Sequence, residues 1–495
     1  MREHLIAYWR RKKGIPPYSN PKYSKSTVLE LWERYGNDDQ AGDELGITGN
    51  AFRYWRKKYK IIDKPLRLKY EQIQLPLPGM EDKSSSRRKL SFVQKIILKK
   101  RGEIAGGRDS VQYLKPDRYF IAGEDSIFND SINLNKLKIK NPQKVTVLDS
   151  GYIDKSATSG FLGALNDYAH FVLPTKGGLI YQTLTEGRIL PGDLAVSTDN
   201  GILGIGGIGA VGIKIDCNKL IETFNSDQIP ISNLDAFRIN LLDTPRRFIE
   251  PLDIILFLSG RNIESGFRNC IVEFSGSALE TMDIDKRFSL CYLSSFLNCF
   301  TAGIACNKEI EKIIRKIALI KFDKIGSDPG ALHGETIHQS VLEIEPQAGV
   351  YEKGEFILST VNENVDEKIS TIIVGLYSGG MLNDINDIAE SMGNKRIANS
   401  VKFYIRPATA EILLNMVHSG VFARLIEAGC SILPPAPHLL DFSLSSVSSS
   451  SGNILISDPL YIDDFPKDFE GKVFIANHRV AAISAVHGTI TDPRP

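Results

Sequence analysis

A layered α/β architecture with a small all-helical unit ahead of it follows from three features of the sequence. From about Leu90 onward, strand-like apolar runs such as Val145-Thr146-Val147-Leu148 and Ile372-Ile373-Val374 alternate with amphipathic helical stretches. Alternation of this kind builds sheets covered by helices. The chain has 495 residues, too many for one core, so roughly two to four domains are expected. All three tryptophans, Trp9, Trp32 and Trp55, precede residue 56, and Met1 to Tyr70 carries 16 Lys and Arg against 8 Asp and Glu. That asymmetry sets a basic module apart from the rest.

The composition bounds the function. Hydrophobic content is 42%, charged content 24% and net charge +1, ordinary for a globular chain. No apolar run reaches the ~18 residues of a membrane span. No apolar segment with a small-residue cleavage site opens the chain, so a cytoplasmic location without membrane contact is expected. The six cysteines, Cys217, Cys270, Cys291, Cys299, Cys306 and Cys430, contain no C-x-x-C pair. This argues against disulfides and a simple zinc site and for packing as small hydrophobes.

Within residues 1–62, Ser26 or Thr27 is placed to cap a helix carrying Val28, Leu31, Trp32 and Tyr35 on one face. Gly36-Asn37-Asp38 interrupts it, and a short helix with Ala41 and Leu45 inward follows. Gly46-Ile47 makes a turn, and Thr48 caps a third helix running to about Tyr59. This layout resembles helix-turn-helix domains of the transposase and homeodomain-like kind. The resemblance implies Ile47, Phe52 and Trp55 in the core and DNA as partner. Gly49, Asn50, Arg53 and Tyr54 would then face the major groove, with Arg56, Lys57 and Lys58 near phosphates. The basic stretch Ala7–Ile15 echoes Arg53–Ile61. A solvated helical hairpin that docks on protein is the competing reading. Residues 63–89, rich in Pro and then in Ser, Arg and Lys, suit a linker.

The region 90–495 carries a second resemblance. Gly177-Gly178-Leu179-Ile180-Tyr181-Gln182 is followed by Leu190-Pro191-Gly192-Asp193, by Ser197-Thr198-Asp199-Asn200 and by Gly206-Gly207-Ile208-Gly209-Ala210-Val211-Gly212. Further on come Ile271-Val272-Glu273-Phe274-Ser275-Gly276, Leu342-Glu343-Ile344-Glu345-Pro346 and the ending Gly488-Thr489-Ile490-Thr491-Asp492-Pro493-Arg494. In order and spacing these resemble the large subunits of the aconitase and 3-isopropylmalate dehydratase family. The resemblance implies aconitase-type three-layer α/β/α domains around a cleft, without the mobile swivel domain, and a lyase ancestry. Because that domain is a separate chain in isopropylmalate isomerases, a small swivel subunit is an implied partner.

The same resemblance implies a lost cofactor. Family members hold a four-iron four-sulfur cluster through three cysteine thiolates, soft ligands suited to such clusters. The matching positions here are Tyr377, Pro437 and Leu440, none of which offers a thiolate. Other family site positions read Ser150, Tyr181, Gly201, Tyr292, Phe296 and Phe465, so the arginine fork that clamps carboxylates is missing. Asp149, Gln182, Asp199 and Arg287 survive. They form either a residual catalytic set or groups that cap strands and satisfy buried backbone. His438 and Tyr377 suit a hydrogen bond better than a metal site. His333 and His338, five residues apart around Glu335, do not fit helical zinc spacing and read as a surface loop.

No cofactor and no metal are therefore expected. The leading expectation is a family member without cluster or dehydratase activity, a pseudoenzyme acting as a DNA-binding or metabolite-binding regulator or scaffold. The alternative is a divergent hydro-lyase or isomerase on a small hydroxycarboxylic acid, using the retained aspartates for acid–base work, possibly beside a small subunit.

Overall fold

The computed structural model describes residues 23–35, 38–59, 61, 89–101, 112–122, 139–148, 172–173, 180–231, 234–261, 267–318, 320–322, 324–331, 333–436, 439, 452–465 and 469–494. The chain divides into two compact units, Met1–Glu71 with Ile337–Ser340, and Gln72–Thr336 with Val341–Pro495.

In the first unit three helices form, Lys25–Tyr35, Asp38–Glu44 and Gly49–Lys58. Their apolar positions converge on one core of Val28, Leu31, Trp32, Ala41, Phe52 and Ile61, with Ile47 and Trp55 packed against it half-buried. Thr48 accepts the Ala51 N–H and caps the third helix, while Gly46 makes the preceding turn at φ +64, a conformation glycine adopts at little cost. The first helix is capped one turn earlier than the sequence suggested. Ser24 Oγ accepts the Thr27 N–H at 3.0 Å, so Ser26 and Thr27 lie inside the helix.

In the second unit, strands buried on both faces make parallel sheets, as expected where helices cover each side. Val172–Leu173, Val145–Leu148, Arg118–Ala122, Leu194–Ser197 and Val211–Lys214 lie side by side in that order, all parallel. Ala236–Leu242, Ile271–Ser275 and Thr301–Ile304 form a second parallel run. A seven-stranded sheet runs Glu355–Thr360, Gln347–Glu352, Val473–Ile475, Ile454–Ile456, Thr371–Gly375, Lys402–Arg406 and Ser431–Ile432. Its first two junctions are antiparallel and the others parallel.

The glycine run has a steric reason. Asn200–Ile208 winds as a 3-10 helix between the strands Leu194–Ser197 and Val211–Lys214. A Cβ at Gly212 would run into the carbonyl oxygen of Ile202, and one at Gly206 into that of Ala302. Backbone therefore packs on backbone, which only glycine permits. Among the described residues, no helix is long and apolar enough to cross a membrane.

Candidate functional site

The fully buried strand Thr371–Gly375 ends in a tight turn with Leu376 at φ +54 and Gly379 at φ +105. This turn presents Tyr377, the residue that the sequence resemblance aligns with a cluster ligand. Ser289 Oγ donates to the Tyr377 carbonyl, and Ser378 Oγ donates to the Ser457 carbonyl at 2.6 Å. The Tyr377 ring is 2% exposed. Its centroid lies 4.8 Å from that of Tyr292, roughly edge-on, and 5.0 Å from that of Phe288. Tyr181 meets the other side of Phe288 at 5.1 Å. Four aromatic rings thus fill this part of the body, in geometries their quadrupoles favour.

Polar atoms are trapped among these rings. The Tyr377 hydroxyl has no hydrogen-bond partner; the Ile180 and Tyr181 N–H groups lie near but out of hydrogen-bonding geometry, and burial and the Asp199 carboxylate push its pKa far up. Tyr292 donates to Asp458 at 2.7 Å, and burial pushes the Asp458 carboxyl up to about 7. Tyr181 donates to Asp285, whose carboxyl burial pushes up to about 6.

The four residual residues separate. Asp199 caps the 3-10 helix through the Gly201 N–H at 2.5 Å. Its carboxylate and the Tyr377 hydroxyl both lie 2.9 Å from where a Gly201 Cβ would sit, so these two groups share one pocket of space. Gln182 stands on the helix Ile180–Thr185. Its amide nitrogen donates to Glu186 at 2.9 Å, and its buried amide oxygen has no partner. Arg287 is 2% exposed and spends its guanidinium on the carbonyls of Leu279, Met282 and Ala305. Arg287 is a brace for backbone carbonyls, the second of the two roles its sequence left open, and not a member of a residual catalytic set. Asp149, Pro437, His438 and Leu440 lie outside the described residues.

The cluster implied by the family resemblance does not fit the residues present. Tyr377 supplies a phenol where a thiolate is needed. The thiols of Cys270, Cys291, Cys299, Cys306 and Cys430 are all pushed up by burial, the opposite of what metal ligation requires. Cys270 and Cys299 donate to backbone carbonyls, and Cys430 lies against Met392. Phe296 and Phe465, which the resemblance aligns with an acidic and a basic family position, pack against Phe356 at 5.3 Å and Phe469 at 5.8 Å.

Sequence reasoning missed a buried ionic network. Arg479 bridges Glu250 at 2.8 Å and Asp387 at 2.5 Å, and Lys286 reaches Glu250 at 2.8 Å. His478 Nε2 lies 3.7 to 4.0 Å from Asp387, Glu250 and Asp384. The carboxylates raise the His478 pKa against the opposing effect of burial. Glu250, Asp387 and His478 could group around a cation, but Arg479 and Lys286 already fill that electrostatic role. A charged residue opening a helix, as His478-Arg479 does after the Asn477 cap, was the available signal. The histidine reading also needs correction. His333 is 6% exposed and bonded to Glu273 at 3.2 Å, and His338 is 7% exposed within the strand Glu335–Ser340.

In the first unit, the side chains expected at DNA divide in two. Asn50, Tyr54, Lys57 and Lys58 are exposed, Tyr54 at 60%. Arg56 is turned inward, with its guanidinium on Asp38 at 2.8 Å, on the Ile61 carbonyl at 3.0 Å and over the Trp32 ring. It is a core brace, which corrects its expected place near phosphates. Arg53, half-exposed, pairs with the same Asp38 at 2.8 Å.

Parallel sheets under helices and a glycine-lined 3-10 helix between two strands define a layered α/β body. Residues 136–320 match the model of the Aconitase family (aconitate hydratase). A probable methanogen homoaconitase large subunit of Methanothermobacter thermautotrophicus is 23% identical over 65% of this chain and 76% of its own length. The 3-isopropylmalate dehydratase large subunit 1 of Methanopyrus kandleri is 22% identical over 70% of this chain and 80% of its own. Thermococcus kodakaraensis aconitase X in its holo-form superposes with a TM-score of 0.44 at 11% identity, covering 75% of this chain and 90% of that one. Over these spans the chain is similar to the aconitase family.

Proposed function

We propose that this chain is a cluster-free member of the aconitase family, in which iron-dependent dehydration has been given up and the body binds a small metabolite. The observation that carries the reading is Tyr377, whose ring packs against Tyr292 and Phe288 at the position of a cluster ligand. The basic first unit then delivers the body to DNA; exposed Asn50, Tyr54, Lys57 and Lys58 on one helix support this. Two experiments test the two halves. Iron and acid-labile sulfide are assayed after anaerobic purification, and gel mobility is measured with duplex DNA at moderate salt. Stoichiometric iron, or unchanged mobility with every duplex offered, counts against the respective half.

A second reading keeps the chemistry in the relatives' names, a divergent hydro-lyase on a small hydroxycarboxylic acid. Those names and the closeness of Asp199 to the Tyr377 hydroxyl favour it. Both relatives are named large subunits, so a separate small subunit is the partner proposed under either reading. Interconversion of hydroxy acids by the pure protein, alone or with that subunit, decides for the second.

A further inference from the structure

Away from the aromatic fill, a cavity of about 410 Å³ opens beside the start of the 3-10 helix, within the ~300–1,000 Å³ of small-molecule sites. We infer that it is a binding site for a small anion carrying a carboxylate or phosphate group, held by Lys214 and Arg268. This builds on the cluster-free reading, since it supplies an anchor for a metabolite without iron.

The lining is one-sided in charge. Lys214, Arg268, Asn200, Asn269, Asn298 and Ser295 border the space, and among the described residues no aspartate or glutamate does. Elsewhere in the second unit Arg479 and Lys286 are paired with carboxylates and Arg287 is held by carbonyls. Lys214 donates only to the neutral Asn200 Oδ1, at 2.7 Å, which uses one of the ammonium's three N–H groups. Neither Lys214 nor Arg268 has a carboxylate partner among the described residues. Two neighbouring cations without a carboxylate partner among the described residues raise the local concentration of anions. A guanidinium also matches the oxygens of a carboxylate or phosphate in a bidentate fork.

The frame around these groups is built from backbone. Lys214 sits at the end of its strand, paired in register with Ser197, so it stands beside the Asp199-Asn200 turn. On the opposite rim, Asn269 at φ +57 and Asn298 at φ +58 each take the left-handed conformation that asparagine tolerates better than most residues. The two turns are tied together. The Asn269 N–H donates to the Asn298 carbonyl at 3.0 Å, and the Phe300 N–H to the Cys270 carbonyl at 2.8 Å. The asparagine amides thus offer donors from a rim whose backbone is tied, while the Ser295 hydroxyl, which donates to the Tyr292 carbonyl at 2.8 Å, can only accept; such pre-ordering lowers the entropic cost of holding a ligand.

The test is calorimetric titration of the full-length protein with inorganic phosphate, malate and citrate at matched ionic strength, with malonamide as a neutral control. The expected result is saturable binding of phosphate or of a carboxylate but not of malonamide; which probe binds identifies a phosphorylated or a carboxylic ligand. Lys214→Gln and Arg268→Gln should each weaken binding by about tenfold or more. Both side chains are exposed, so melting without ligand should be unchanged in the variants. No binding of any anion, equal binding of malonamide, or undiminished binding by the Lys214→Gln/Arg268→Gln double variant overturns the inference. Iron content decides the cluster-free reading separately, so the two can fail independently.

Discussion

The ring of Tyr377 meets that of Tyr292 nearly edge-on, with centroids 4.8 Å apart and planes at 72°. On the proposed cluster-free reading, one residue stands in place of a cluster thiolate and the other in place of a helix asparagine, and their contact would make the two changes fit each other. A buried phenol beside a buried phenol contributes dispersion and burial energy where a cluster would need open coordination.

Because the Tyr377 hydroxyl is buried without a partner, it carries a desolvation penalty of about 1–3 kcal/mol. Tyr377→Phe should therefore hold or raise stability, by up to about 1 kcal/mol. Tyr377→Ala should cost about 3–5 kcal/mol through the cavity it leaves. Urea unfolding of the purified variants reads both.

Asp458 gives a pH signature. Its folded pKa is raised to about 7 from about 3.9 in an unfolded chain, so between these values the folded state holds the proton more tightly. The stability this contributes is complete below about pH 4 and is lost as pH rises through about 7, at up to roughly 1.4 kcal/mol per pH unit. Asp458→Asn should flatten that part of the stability–pH curve, measured by denaturant unfolding between pH 5 and 8.

Breaking the buried ion network should be severe. Arg479→Met removes the bridge between Glu250 and Asp387 and leaves buried carboxylate short of counter-charge, at a cost of about 3–5 kcal/mol. His478→Gln should cost less at high pH than at low pH. The raised His478 pKa means that its charged contribution is present below about 6.5 and lost as pH rises through the folded value. Melting temperatures across pH check both variants.

The first unit separates fold from binding. Arg56→Ala should unfold it, since Asp38, Ile61 and Trp32 lose their shared partner. Lys57→Gln and Lys58→Gln should leave the fold intact. Each should weaken DNA binding across sequences and lower the salt slope by about 1. Circular dichroism and gel shifts at several salt concentrations distinguish these outcomes.

The parts of this molecule that were legible in the sequence have local causes. The glycines of residues 206–212 are required by backbone packed on backbone, and the Thr48 cap by the helix it opens. What the sequence hid depends on distant partners. Arg287 could be read as catalytic or as a backbone brace, and only the carbonyls of Leu279, Met282 and the distant Ala305 decide for the brace. Arg56 looked like one more basic residue in a basic helix, yet Asp38 turns it inward. His333 read as a loop residue because Glu273, its partner, lies 60 positions away. The Glu250–Asp387–Arg479–His478 network draws on segments scattered through the body, so no spacing in the sequence announces it.

The most direct measurement is iron and acid-labile sulfide in protein purified without oxygen and then offered ferrous iron and sulfide. A body whose thiolate position is filled by the Tyr377 phenol should retain neither after desalting, and should show no visible absorbance from sulfur-to-iron charge transfer. Stoichiometric iron and sulfide that stay with the folded chain would contradict the account.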